Sequence, residues 1–138
     1  MNDIPAYRYG VAKPAEIIQL TGKQILQAII EGNLPHPPIS RTLSFRLVEI
    51  GDGFAAFEGS PGDHLLNPMG TMHGGWAMTL FDSATGCAGY SLIPAGAGFR
   101  TLETKVNLSR PITCDSAASG PRPTSYRGPA RSSRPKRG

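Results

Sequence analysis

The 138-residue sequence predicts a single α+β domain followed by a tail of different character. Three observations carry that prediction. Two alternating apolar segments are joined by a Gly-Asp-Gly turn at 51–53, which is a hairpin signal. One long apolar run starts at the glycine pair Gly74-Gly75 and extends to about Tyr90, at helical length. After Thr113 the segment 114–138 holds one aromatic residue and no Val, Ile, Leu, Met or Phe.

Residues 1–20 are punctuated by Pro5 and Pro14 and read as an extended, loosely ordered lead-in. Thr21 is placed to cap a helix over 22–31, with Gly32 as its stop. Ile25, Leu26, Ile29 and Ile30 fall on one face of it, a packing face. The run LPHPPIS at 34–40 is expected to be irregular, since its three prolines remove backbone donors and fix φ. Strands are expected over 42–50, where Leu43, Phe45 and Leu47 alternate with polar residues, and over Phe54–Gly59. A long loop at 60–72 leads to the helix. A turn at 94–98 then leads to a third strand over 99–112, with Leu102, Thr104, Val106 and Leu108 on one face.

Charge separates body from tail. Residues 1–110 carry eight Lys/Arg and nine Asp/Glu, whereas 111–138 carry six Lys/Arg and one Asp. The net charge of +4 therefore belongs to the tail, and a nucleic-acid-binding face on the domain is not expected. The tail has too little apolar surface to offset the entropy of ordering it and is expected to be disordered. Two cysteines, Cys87 and Cys114, do not make a disulfide framework. The first ten residues lack the basic-then-apolar pattern of a secretory signal. No stretch approaches the roughly 18 apolar residues of a membrane span. A cytoplasmic protein with no membrane partner is the expectation.

Four features carry possible chemistry. His73-Gly74-Gly75 opens the long helix, where the first N–H groups lack intrahelical partners and sit at the positive end. Glycines there let a carbonyl oxygen approach the backbone, so the turn reads either as an oxyanion site or as an ordinary loop-to-helix junction. Asp82 stands about two turns further on among apolar neighbours. It is either a solvated carboxylate or a general base in an apolar cleft. Asn67 precedes a proline and is either a turn former or an amide donor to a carbonyl. Thr101 is either a strand threonine or a hydroxyl that orients water. Gly75, Trp76 and Met78 are candidate substrate-lining positions, although apolar helix residues are more often core.

The segment NPMGTMHGGWAMTLFDSATGCA (67–88), followed by TLETKVNLSRPIT (101–113), is similar to the hotdog-fold thioesterases of the phenylacetic-acid-pathway (PaaI-like) type. LTGKQILQAIIEGNLPHPPISRTLSFRLVEIGDG (20–53) looks like the lead-in of the same family. The resemblance covers roughly residues 20–113. It implies an antiparallel sheet wrapped around a central helix, assembled as a dimer or tetramer with sites between subunits. It implies acyl-CoA as substrate and no metal or other cofactor. Carried over, Asn67 and the Gly74 N–H would polarise the thioester carbonyl and His73 would shape the turn. Asp82 from the other subunit would act as base or nucleophile, and Thr101 would help hold water. The alternatives are a hotdog hydratase or dehydratase, or a non-catalytic acyl-CoA binder.

The sequence departs from the family after Thr113. The family fold has further long strands there, and the basic Pro/Arg/Ser-rich tail stands in their place. Back-translated with G- and C-rich codons, 119–137 reads in the neighbouring frame with strand-like alternation. A frameshift near Asp115 that replaced the C-terminal strands is therefore the expected origin of the tail. The third strand would then be left with an unpaired edge.

Overall fold

The computed structural model describes residues 7–113 and 124–127. Its frame is a hairpin laid against one long helix. β1 (Phe45–Gly51) and β2 (Phe54–Gly59) pair antiparallel, with Gly53 at φ +69 in the connecting turn, a conformation that costs glycine little. The register shifts between Leu47 and Glu49, so Val48 is bulged. Phe45 and Leu47 point inward from β1 and stack with Ala55 and Phe57 of β2. The long helix closes this core with Trp76, Leu80, Ala84 and Ala88.

Helix α1 (Pro14–Ile17) is a single turn that starts on a proline, within the stretch expected to be loosely ordered. Helix α2 (Gly22–Ile30) forms as expected. Thr21 Oγ1 accepts from the Gln24 N–H at 3.3 Å and Gln24 Oε1 accepts from the Thr21 N–H at 2.9 Å, a reciprocal cap. Gly32 ends it at φ +80.

Two expectations are corrected. The segment 34–40 is not wholly irregular, because α3 (Pro38–Thr42) begins inside it. Pro38 sits at the first helical position, where a missing N–H costs nothing and the fixed φ already suits a helix. β1 accordingly starts at Phe45 and not at 42, after a turn in which Ser44 takes φ +52. The second correction concerns 99–112, which is not a strand: among the described residues this segment pairs with no neighbouring strand. A strand exists through its ladder, and alternation alone does not make one. Leu102 is 91% exposed, so the expected apolar face is not a buried one.

Helix α4 (Gly74–Tyr90) has the expected bounds. Its C-terminus is fastened to the hairpin through Ser91, whose Oγ accepts from the Gly53 N–H at 2.8 Å and donates to the Ala88 carbonyl at 2.7 Å. It is fastened to α2 through the Gly22 N–H, which donates to the Ile93 carbonyl at 3.0 Å.

The expected disordered tail lies mostly outside the described residues. Within it, Thr124–Arg127 forms a short strand, β3, that pairs antiparallel with β2 and completes the sheet order β1-β2-β3. The open edge of β2 supplies a row of backbone donors and acceptors, and pairing with it does not require apolar side chains.

Candidate active site on helix α4

His73 caps α4: its Nδ1 accepts from the Gly75 N–H at 2.9 Å. One of the helix's first free donors is thereby occupied by the protein itself. The Gly74 N–H is left at the positive end of the helix, facing a cavity of about 350 Å3 whose wall includes Asn67, Thr71, Gly74, Leu108 and Arg110. A Cβ built on Gly74 would lie 2.9 Å from Leu108 Cδ1, so the absence of a side chain there lets Leu108 pack close over the start of the helix, at the wall of this cavity.

Asn67 shares that cavity, but its amide is engaged in shaping the loop. Asn67 Oδ1 accepts from the Met69 and Thr71 N–H groups at 2.9 and 3.2 Å, and Asn67 Nδ2 donates to Thr71 Oγ1 at 2.8 Å. The turn is closed by the Asn67 N–H on the Thr71 carbonyl and the Gly70 N–H on the Asn67 carbonyl. Asn67 is thus an Asx-type turn former whose Nδ2 makes one hydrogen bond, to Thr71 Oγ1, among the described residues.

Asp82 is partly buried on the side of α4 away from the hairpin. Its Oδ1 accepts a hydrogen bond from Thr104 Oγ1 at 2.9 Å. The hydroxyl that meets the carboxylate therefore belongs to Thr104, whereas Thr101 is exposed. Thr104 carried a signal in the sequence, since it was one of the face residues of the segment 99–112. What the sequence lacked was the path of that segment over α4. The contacts trace it: Phe99 lies against Gly86, Thr104 reaches Asp82 and Leu108 covers Gly74, so the segment runs antiparallel along the helix. Beneath it, burial and the nearby Asp82 charge push the Cys87 thiol up to about 12.

Of the expected lining residues, Gly75 is spent on the cap and Met78 is exposed. Trp76 is in the core instead: 3% exposed, it packs on Gly59 and its Nε1 donates to the Leu43 carbonyl at 2.7 Å. A buried indole N–H with a partner is a structural anchor.

The two halves of the site are apart within one chain. Gly74 and Asp82 are eight residues apart on one helix, which is about 12 Å along its axis. No single carbonyl can touch both. Among the described residues no group of three His, Cys, Asp or Glu side chains could hold a metal ion, and no helix is long and apolar enough to cross a membrane.

Residues 69–120 match the thioesterase superfamily. Among solved structures, the chain is similar to the conserved protein PA5202 of Pseudomonas aeruginosa, at 29% identity over 65% of each chain with a TM-score of 0.54. It is also similar to a variant of the phenylacetic acid degradation protein PaaI of Thermus thermophilus, at 24% identity over 65% of this chain and 70% of that one, TM-score 0.53. A thioesterase-like protein of Ralstonia eutropha, described as related to phenylacetic acid degradation, matches at 23% identity over 64% and 68%, TM-score 0.58. The chain thus spans 65% of the length of the Pseudomonas protein. No curated protein matches it. The fold is the hotdog type: a sheet laid around a central helix, with an α+β order of elements.

Proposed function

We propose that the chain is one subunit of an acyl-CoA thioesterase whose sites are completed by a second copy. The observation that carries this reading is the layout of α4 within a match to the thioesterase superfamily. A glycine-flanked helix N-terminus opens on a cavity, and a carboxylate held by a threonine lies two turns away on the outward side. The Gly74 N–H, with the spare Asn67 amide hydrogen, stabilises the oxyanion that forms when the thioester carbonyl is attacked. Asp82 takes a proton from water, or attacks the carbonyl itself, and the thiolate leaves without needing strong acid assistance. Thr104, by donating to Oδ1, leaves Oδ2 for that work.

The separation of about 12 Å supports the two-copy reading, in which a two-fold arrangement sets one helix's Asp82 against the other's Gly74. A hydratase reading is less well supported, because it needs a histidine beside the carboxylate. His73 is nine residues from Asp82, and its Nδ1 is held by the cap.

Mixing experiments test the shared site. Asp82→Asn and Gly74→Val should each abolish CoA release from acyl-CoA. Mixed and allowed to exchange, they should recover roughly a quarter of wild-type turnover, since half the pairs are mixed and each holds one intact site. Mixtures that stay inactive while exchange is demonstrated would overturn the shared site. Full turnover by Asp82→Asn alone would remove Asp82 from the mechanism.

A further inference from the structure

A second hollow, of about 510 Å3, opens beside the start of β1, and Tyr7, Tyr9, Arg41, Ser44, Arg46 and Glu58 stand on its wall. That volume is in the range of small-ligand sites. Its wall carries two arginines against one glutamate. Arg46 Nη2 donates to Glu58 at 3.3 Å, its Nη1 donates to the Tyr7 hydroxyl, and its guanidinium lies 5.4 Å from the Tyr7 ring centroid. Arg41, exposed at the end of α3, makes no ion pair among the described residues. One guanidinium is thus neutralised and held in place, and the other is unspent. Behind them lies the buried His36 ring, 5.0 Å from that of Tyr7.

Unspent guanidinium, serine hydroxyls and exposed tyrosine rings are the groups that recognise phosphate and a stacked purine together. Tyr7 and Tyr9 are 40% and 42% exposed. We propose that this hollow holds the nucleotide phosphate end of a coenzyme A thioester whose acyl end lies at Gly74. This assignment rests on the thioesterase reading.

The connection between the two places is structural. Ser44 Oγ and His64 Nε2 are hydrogen-bonded at 3.0 Å in the hollow's wall, and the neighbouring Leu65 carbonyl accepts from the His73 N–H at 2.8 Å at the α4 cap. On the inner side, Leu43 beside Ser44 accepts from Trp76, two residues past Gly74. A ligand running over the 63–73 loop would therefore have a cationic anchor at one end and the oxyanion site at the other. The flexible arm between nucleotide and thioester is the part of coenzyme A that bridges them.

The test uses the full chain and adenosine 3′,5′-bisphosphate, which carries neither arm nor thioester, with inorganic phosphate and adenosine as controls. Calorimetric titration should show saturable nucleotide binding that weakens as salt is raised. Arg41→Glu, at an exposed side chain with no bonds to lose, should weaken it at least tenfold, and Asp82→Asn should leave it unchanged. No nucleotide binding by the folded protein, or equal binding by Arg41→Glu, overturns the proposal. Phosphate binding as tightly as the nucleotide overturns it too, and marks a simple anion site. If wild type releases no CoA yet binds the nucleotide through Arg41, the hydrolase reading fails and the nucleotide site stands.

Discussion

Replacing Gly22 by alanine would put a methyl carbon 1.9 Å from the Tyr90 carbonyl oxygen and 2.9 Å from its carbon. Both atoms are backbone of α4's last turn, so no side chain can swing aside. The start of α2 would have to retreat by about 1.5 Å to reach ordinary contact distance. That retreat breaks the Gly22 N–H bond to the Ile93 carbonyl, now 3.0 Å. Overpacking of this kind costs about 1–3 kcal/mol, and the lost bond adds about 1 kcal/mol. A loss of about 2–4 kcal/mol is a large share of the roughly 5–15 kcal/mol that holds a domain folded. Gly89→Ala is the matched control. It lies in the last turns of α4 with nothing within 4 Å of the added carbon, so it should gain a few tenths up to about 1 kcal/mol from helix propensity. Urea unfolding followed by far-UV circular dichroism reads both variants as midpoint shifts at constant slope. A Gly22→Ala midpoint at or above wild type, or an equal loss in Gly89→Ala, would refute the docking of α2 on the end of α4.

Thr104→Val removes the hydroxyl that holds Asp82 Oδ1 and should lower kcat/KM for acyl-CoA roughly tenfold, the worth of one hydrogen bond to a charged group. Thr101→Val, at an exposed side chain, should change it little, and the reverse order would restore Thr101 to the site. His36 is 3% exposed, its Nε2 has no partner among the described residues, and burial followed by the Arg46 charge holds its pKa below 6.5. The unfolded chain therefore takes up a proton near pH 6.5 that the folded chain refuses. This contribution to stability is complete above that pH and is lost as pH falls through it. His36→Leu should flatten the decline between pH 7 and 5 in urea midpoints, and an unchanged decline would assign it to other groups.

The parts of this fold that were legible in the sequence are those fixed by local chemistry. The Thr21–Gln24 cap, the Gly53 turn and the glycine-led start of α4 each depend on residues within a few positions of one another, and each stands where the sequence placed it. Pro38 misled because a proline's meaning depends on whether it falls inside a helix or at its first position, which spacing alone did not reveal. The contact of Thr104 with Asp82, and the core position of Trp76, were not legible for another reason. Both are set by how distant segments pack, a phase that alternation does not carry.

The segment 99–112 joins these two kinds of reading. Its composition is that of a strand, yet among the described residues it joins no strand: it lies along the outward side of α4, with Leu108 over Gly74 and Thr104 on Asp82, and its end is tied by the Met72 N–H on the Ile112 carbonyl at 3.0 Å. A second copy set against α4 must meet this segment first, because it covers the face on which a shared site would form. Backbone donors and acceptors without a ladder are a template for pairing, so the groups that leave the strand incomplete in one chain are also those that could join it to another. On the two-copy reading proposed above, Gly74 and Asp82, about 12 Å apart along one helix, meet the same carbonyl across a contact that also passes over 99–112.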